Sequence, residues 1–249
     1  MTIQQRFAAA CAVQLADHPD GIGTLGEKTL HACIKRYFAP DLLCHETRLG
    51  RYVADVVSAD GIIEIQTRQF YMLKNKLAAF LEMGPVTVVY PVAAEKWLLW
   101  VDEQTGEITS RRKSPKRAQA YEILPELYAL RDFLDHPGIR FCVMMLELEE
   151  YRRLNGWSEN KKRGSTRYER IPVRLDSEVW IQSRDDYAAL VPKGLEARFT
   201  AQQMGAAMHL RGRRAWQALQ VLRKMGAVAY AGKRGRAYEY TRTQPESYA

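Results

Sequence analysis

Two short runs rich in β-branched residues, 52–57 and 62–66, flank the dipeptide Asp60-Gly61, and no other feature of the chain narrows its fold as much. Such a pattern predicts a β-hairpin. If Ser58 closes on Gly61, Val57 faces Ile62, Asp55 faces Glu64 and Val53 faces Gln66; a longer loop with Ser58 and Gly61 unpaired keeps that register. Opposed residues have Cβ atoms roughly 4.5–5.5 Å apart, and like charges there destabilise the hairpin unless something compensates. Removing either acid is then expected to stabilise the metal-free chain. A hard divalent cation is the natural compensation, because it takes carboxylate and carbonyl oxygens and keeps waters, one of which becomes a nucleophile. The competing reading puts both acids on a solvated face. Against it, Gly61-Ile62-Ile63-Glu64-Ile65 is apolar on both sides, which a wet edge is not.

Around the hairpin, the periodicities predict helix, three strands, helix, strand. Residues 6–16 are Ala-rich and read as a helix that His18-Pro19-Asp20-Gly21 breaks. A second helix is expected over 25–38, with Leu30, Cys33, Ile34 and Tyr37 at helical spacing, and 45–49 reads as a strand turning at Gly50 into the hairpin. Phe70, Leu73, Leu77, Phe80 and Leu81 form one stripe of a helix over 68–82, which Gly84-Pro85 stops. The unbroken apolar run 86–90 suits a strand covered on both faces. Further on, the chain predicts a hairpin of 97–101 with 107–110, a basic loop over 111–117, a helix over 121–134 interrupted near Pro125, and a strand over 140–148. Residues 160–170 mix basic, small and aromatic residues and read as a phosphate-contacting loop carrying Lys161, Lys162, Arg163 and Arg167, the alternative being a plain charged surface.

The order of elements and the spacing of the acids resemble the PD-(D/E)xK nuclease superfamily. Asp55 matches its Asp and Glu64 its second acid; Gln66 stands where Lys is usual, an ExQ variant found in some restriction enzymes of the group, and Ala54 replaces the motif's Pro. Glu27, in Gly26-Glu27-Lys28-Thr29-Leu30-His31, sits where many members carry an acid on the first core helix. The resemblance covers residues 25–91. It implies an α/β fold with a restriction-endonuclease-like mixed sheet flanked by helices, over 1–182, and a metal-dependent endonuclease that hydrolyses phosphodiester bonds in DNA. Asp55 and Glu64 would then hold Mg²⁺ or Mn²⁺, with the carbonyl of Ile65 as a further ligand and Glu27 acting through water or orienting a ligand. Gln66 would orient a water without supplying charge.

From Phe199 onward the pattern changes. Thr200 caps a helix expected over 201–208, a turn leads to a second helix over 212–225 ended by Gly226, and 227–230 with 236–241 bracket a basic hairpin. This resembles a winged helix, which implies a DNA-binding domain over 183–249, introduced by a short helix or linker at 185–191. Arg211, Arg213, Arg214 and Gln217 gather near the N-terminal end of the second helix, the end that commonly meets the major groove, and Lys233, Arg234 and Arg236 lie in the wing. Trp216 and Tyr238 are expected in the core. A winged helix that binds protein instead of DNA stays open.

Composition supports a polyanionic partner: the 249 residues carry a formal net charge of +8. The four cysteines have no metal-ligand spacing and read as buried small hydrophobes of a reduced, cytoplasmic protein, and no apolar run is long enough to span a bilayer. DNA is the expected partner, and a homodimer is compatible with the sequence. The His residues fall in no nucleophilic-catalysis motif. The rival to an enzyme is a non-catalytic DNA-binding regulator on a degenerate nuclease scaffold, favoured by Gln66 and disfavoured by the Glu27, Asp55 and Glu64 set.

Overall fold

The computed structural model of the chain describes residues 1–16, 29–102, 105–157 and 163–243, the side chains of 154–157 and 163–165 excepted. Glu27, Lys161 and Lys162 lie outside the described residues, as does the side chain of Arg163. The architecture is α/β. A large mixed sheet flanked by helices has the strand order 45–49, 52–58, 61–65, 86–101, 139–157, 163–181, with 112–113 beside 86–101, and a small sheet has the order 199–200, 237–242, 228–234. By packing, the chain divides into two compact units, Met1–Ala59 with Pro91–Gln119 and Met144–Glu178, and Asp60–Tyr90 with Ala120–Val143 and Val179–Ala249.

In the first unit, α1 (Ile3–Ala16) packs on α2 (Thr29–Phe38) through Phe7, Ala10, Cys11, Leu30, Cys33 and Tyr37, all buried, with the Phe7 and Tyr37 rings edge-on at 5.5 Å. The Cys11 thiol hydrogen-bonds Cys33, and that bond together with burial pushes its pKa well up. β1 (His45–Leu49) and β2 (Tyr52–Ser58) are antiparallel, with Thr47 opposite Ala54 and Leu49 opposite Tyr52; the turn uses Gly50 at φ 59°, which glycine adopts without strain. Along β2, Ala54 and Val56 are buried and Val53 is exposed, the alternation of a half-covered strand.

The second unit opens with β3 (Gly61–Ile65), parallel to the start of β4 (Val86–Val101) in the register Ile62↔Val86 to Ile65↔Val89. Gly61 has two reasons to be glycine. Its φ is +114°, and a Cβ there would lie 2.4 Å from the Pro85 carbonyl oxygen, the atom that accepts from the Ile62 N–H. The crossover helix begins later than its apolar stripe suggests: Phe70–Leu73 is a 3₁₀ turn, and α3 runs Lys74–Leu81. Gln69 sits in the left-handed region at φ 60°, and its N–H is taken by Glu126 Oε2 at 3.1 Å, so a carboxylate distant in sequence sets the start.

Five expectations need correcting. The strand expected over 86–90 continues to Val101 and absorbs the first arm of the expected hairpin; Asp102 and Gly106 close the turn, and β5 (Arg112–Lys113) pairs back onto Trp97 and Leu98. The expected helix over 121–134 is the single turn α4 (Leu124–Leu127) between 3₁₀ turns, because Pro125 sits in the first turn of α4 and begins a helix there. The expected strand over 140–148 becomes β6 (Ile139–Trp157), 19 residues long, and the described part of the expected loop, 163–170, lies in β7 (Arg163–Ile181), so Arg167 and Arg170 are strand residues. A run of charges hides alternation. Trp216 and Tyr238, expected in the core, are 46% and 54% exposed, since each stands beside the buried stripe of its element and not on it.

The remaining elements follow the expected order. α5 (Arg184–Ala189) has a capping box of Ser183 and Asp186; β8 (Phe199–Thr200) leads into α6 (Ala201–Ala207), capped by Thr200 and Gln203; α7 (Arg213–Lys224), β9 (Val228–Arg234) and β10 (Ala237–Arg242) follow. α7 buries Ala215, Ala218, Leu219, Val221 and Leu222.

Candidate functional site

Glu64 is the buried acid of β3, at 3% exposure, and Lys76 of α3 meets it with Nζ 2.6 Å from Oε2. The helix makes this contact necessary. Lys76 is three residues after Leu73 and four before Phe80, so its stem lies on the apolar side of α3, over the Phe80 ring, and its ammonium needs an acid. That spacing is a signal the sequence reading missed. Gln66 is turned elsewhere: its Nε2 donates to the carbonyl of Arg68 at 2.6 Å, while its backbone N–H continues the strand ladder to the Val89 carbonyl.

Asp55, on β2 of the first unit, has its own partner, His31 of α2, with Nε2 3.3 Å from Oδ2 and both side chains largely covered. His31 was likewise not singled out beforehand; it lies one turn ahead of Lys35, a buried lysine that pairs with Glu46 at 2.8 Å, so this flank of α2 serves the acids of the neighbouring strands. Among the described residues no group of three or more His, Cys, Asp or Glu side chains gathers closely enough to hold a metal ion.

The basic residues of the C-terminal elements divide by what they touch. Arg211 and Arg213 are exposed at the start of α7, and Gln217 is half-buried. Arg214 instead pairs with Glu126 at 3.3 Å, the same carboxylate that takes the Gln69 N–H, and Trp216 packs edge-on against Tyr128 at 5.1 Å, so one flank of α7 is occupied by α4 and its neighbours. On the β9–β10 pair Arg234 pairs with Glu239 at 2.7 Å, Lys233 lies over the Tyr238 ring, and Arg236 is exposed. The basic stretch 111–117 is engaged with acids: Arg111 stacks on Trp97 and pairs with Glu149 at 2.8 Å, and Lys113 pairs with Glu95 at 2.7 Å.

The family model described as Domain of unknown function (DUF8091) matches residues 28–182. The chain belongs to that family. The DUF8091 region thus takes in β1 to β7 and both acids, and ends just before α5. An uncharacterized protein of Treponema pallidum (strain Nichols) is 29% identical over 234 residues, a match covering 90% of this chain and 88% of the relative. No solved structure matches. No helix among the described residues is long and apolar enough to cross a membrane.

Proposed function

We propose that the chain is a metal-dependent nuclease acting on phosphodiester bonds of DNA, with residues 183–249 serving as a winged helix that holds it on the substrate. The observation that carries the reading is Glu64, a carboxylate 3% exposed on a strand parallel to β4, with a lysine of the intervening helix 2.6 Å away. Such a pair is often no more stabilising than apolar residues of the same volume, so its presence at the motif position favours a working site over a scaffold. The order α2, β1, β2, β3, α3, β4, with β1 and β2 antiparallel and β3 and β4 parallel, also supports it.

Two carboxylates and a main-chain carbonyl are hard oxygen donors, and Mg²⁺ or Mn²⁺ takes one or two protein carboxylates while leaving positions for water and substrate phosphate. In this reading Asp55, Glu64 and the Ile65 carbonyl hold the ion, and Glu27 assists through water. The bound ion would polarise the scissile phosphate and lower the pKa of a water. His31 orients Asp55. Lys76 holds Glu64 in place, and supplies beside it the ammonium that an amide at position 66 lacks. DNA contacts are assigned to Arg211, Arg213, Gln217, Lys233 and Arg236, with Arg163 and Arg167 of β7 and with Lys161 and Lys162.

One observation favours a second reading, a DNA-binding regulator on a nuclease scaffold: Gln66 is bonded to the Arg68 carbonyl, and Asp55 and Glu64 already have partners in His31 and Lys76. A titration of Mg²⁺ and Mn²⁺ against labelled duplex, single-stranded, flap and junction DNA separates the two. The nuclease reading expects metal-dependent cleavage that Glu64→Ala and Asp55→Asn abolish. Binding without cleavage under every metal condition would leave the regulator, and cleavage unchanged in both variants would remove the site.

A further inference from the structure

Glu150 of β6 is fully buried, and four cations from three strands converge on its carboxylate. Arg152 Nε donates to Oε1 at 2.8 Å; Lys96 Nζ of β4 lies 3.3 Å from Oε2; Arg167 and Arg170 of β7 approach Oε2 through Nε at 3.4 and 3.7 Å. Burial alone would raise the pKa of Glu150, yet Lys96, Arg152 and Arg167 hold it below the ordinary carboxylate value. The Lys96 pKa is lowered, first by burial and then by the charges of Arg152 and Arg170, against the pull of Glu150.

Close by in the same unit the charges balance. Glu95, Glu147, Glu149 and Asp176 are met by Arg111, Lys113, Arg117 and Arg174, with contacts such as Arg111 Nε to Glu149 at 2.8 Å and Arg174 Nε to Asp176 at 2.8 Å. Around Glu150, four cations among the described residues share one carboxylate. Buried Glu169 lies beside them, its Oε1 accepting from the Arg170 N–H at 2.8 Å. Cations held together repel one another, and beyond the one or two that a buried carboxylate needs, each adds cost unless an anion joins them. The cluster is also open, with Arg167 45% and Arg152 31% exposed. Guanidinium groups present planar forks of donors that match phosphate oxygens.

We infer that Lys96, Arg152, Arg167 and Arg170, held in position by Glu150, form a binding site for phosphate oxyanions, supplied by a nucleic-acid backbone. An open surface cluster spread over three strands suits a polymer better than a free anion. Arg153 stacked at 4.0 Å on the Tyr168 ring of the same two strands adds an aromatic face of the kind on which bases stack. The inference rests on the nucleic-acid part of the proposed function and not on the metal or on cleavage.

The test uses the full chain and measures oligonucleotide affinity across a salt series for wild type, Arg167→Ala, Arg167→Lys, Arg152→Gln and, as a control elsewhere, Arg213→Ala, with thermal midpoints confirming that each variant folds. Arg167→Ala and Arg152→Gln are expected to weaken binding about tenfold and to flatten the logarithmic salt slope by roughly 0.7–0.9 per lost phosphate contact, and Arg167→Lys to retain most of the slope. Inorganic pyrophosphate is the second probe. It is expected to raise the midpoint of wild type and Arg213→Ala but not of the cluster variants; that response without any oligonucleotide binding would overturn the nucleic-acid source and point to a free phosphate compound. Cluster variants that match wild type with both probes would overturn the site, while a flattened slope in Arg213→Ala alone would leave DNA binding standing without it. Flattened slopes in cluster variants of a protein that cleaves nothing would uphold the site and remove the nuclease.

Discussion

At the scale of single residues, the decisive contact is the one between Glu64 and Lys76. Two opposed carboxylates on a hairpin lead one to expect that removing either stabilises the metal-free protein. The partners reverse that sign, because each acid has a partner of its own, the Lys76 ammonium or the His31 imidazole. Lys76→Met strips a buried carboxylate of its nearest positive charge, and urea unfolding is expected to show a loss of about 2–4 kcal/mol, under the range for fully buried pairs because Lys76 keeps 21% of its side chain in water. Adding Glu64→Gln should recover most of the loss, and a Lys76→Met protein as stable as wild type would show that the pair does not hold the acid in place. The hairpin was legible from β-branched runs and Asp-Gly. The partners were not, since nothing local says which lysine of Lys74-Asn75-Lys76 turns inward until the helix stripe is phased.

Among the elements, the short C-terminal helices show how much cap chemistry carries. The Thr200 side chain accepts from the Gln203 N–H at 3.2 Å and Gln203 returns the bond at 2.8 Å, so the start of α6 is readable from Thr-x-x-Gln. Its packing is not readable. A Cβ on Gly205 would lie 2.6 Å from the Ala215 Cβ and 2.9 Å from the Leu210 carbonyl oxygen, which marks a close approach of α6 and α7. Helix propensity alone favours Gly205→Ala by about 1 kcal/mol, but the overpacking costs about 1–3 kcal/mol and involves backbone that cannot swing aside. Thermal unfolding of Gly205→Ala is therefore expected to show a lower midpoint; a raised one would mean that the two helices separate freely.

Across the whole molecule, basic residues sort into those spent on internal acids and those left to meet a partner. Composition reports only the net charge of +8, and the arrangement reports which charges are available. Arg213 and Arg214 are neighbours in sequence, yet Arg213 is exposed while Arg214 is drawn to Glu126. If the C-terminal elements bind DNA, Arg213→Ala should flatten the salt slope by roughly 0.9 for a phosphate contact to duplex, and Arg214→Ala by clearly less. Equal effects would mean that Arg214 leaves Glu126 for DNA. Acid should weaken the fold through Glu150: its folded pKa is depressed, so its contribution is present above the unfolded carboxylate range and is lost as pH falls through the folded value. A Glu150→Gln protein should lack that part of the acid dependence in urea unfolding below about pH 4.5.

Local patterns in the chain suffice for the α/β class, the hairpin at Asp60-Gly61, the apolar strand that opens β4, and the order of two helices and two strands at the C-terminus, because turn residues, caps and periodicity act between near neighbours. Tertiary structure decided the rest. Strands β6 and β7 reach 19 residues by pairing through stretches whose dense charges obscure a period of two, and the 3₁₀ start before α3 depends on Glu126, 57 residues from Gln69. The charge partners are of the same kind: Lys96 reaches Glu150 across 54 residues, and Lys76 reaches Glu64 across a whole crossover. Burial makes those pairings obligatory, and burial is set by the packing of distant elements.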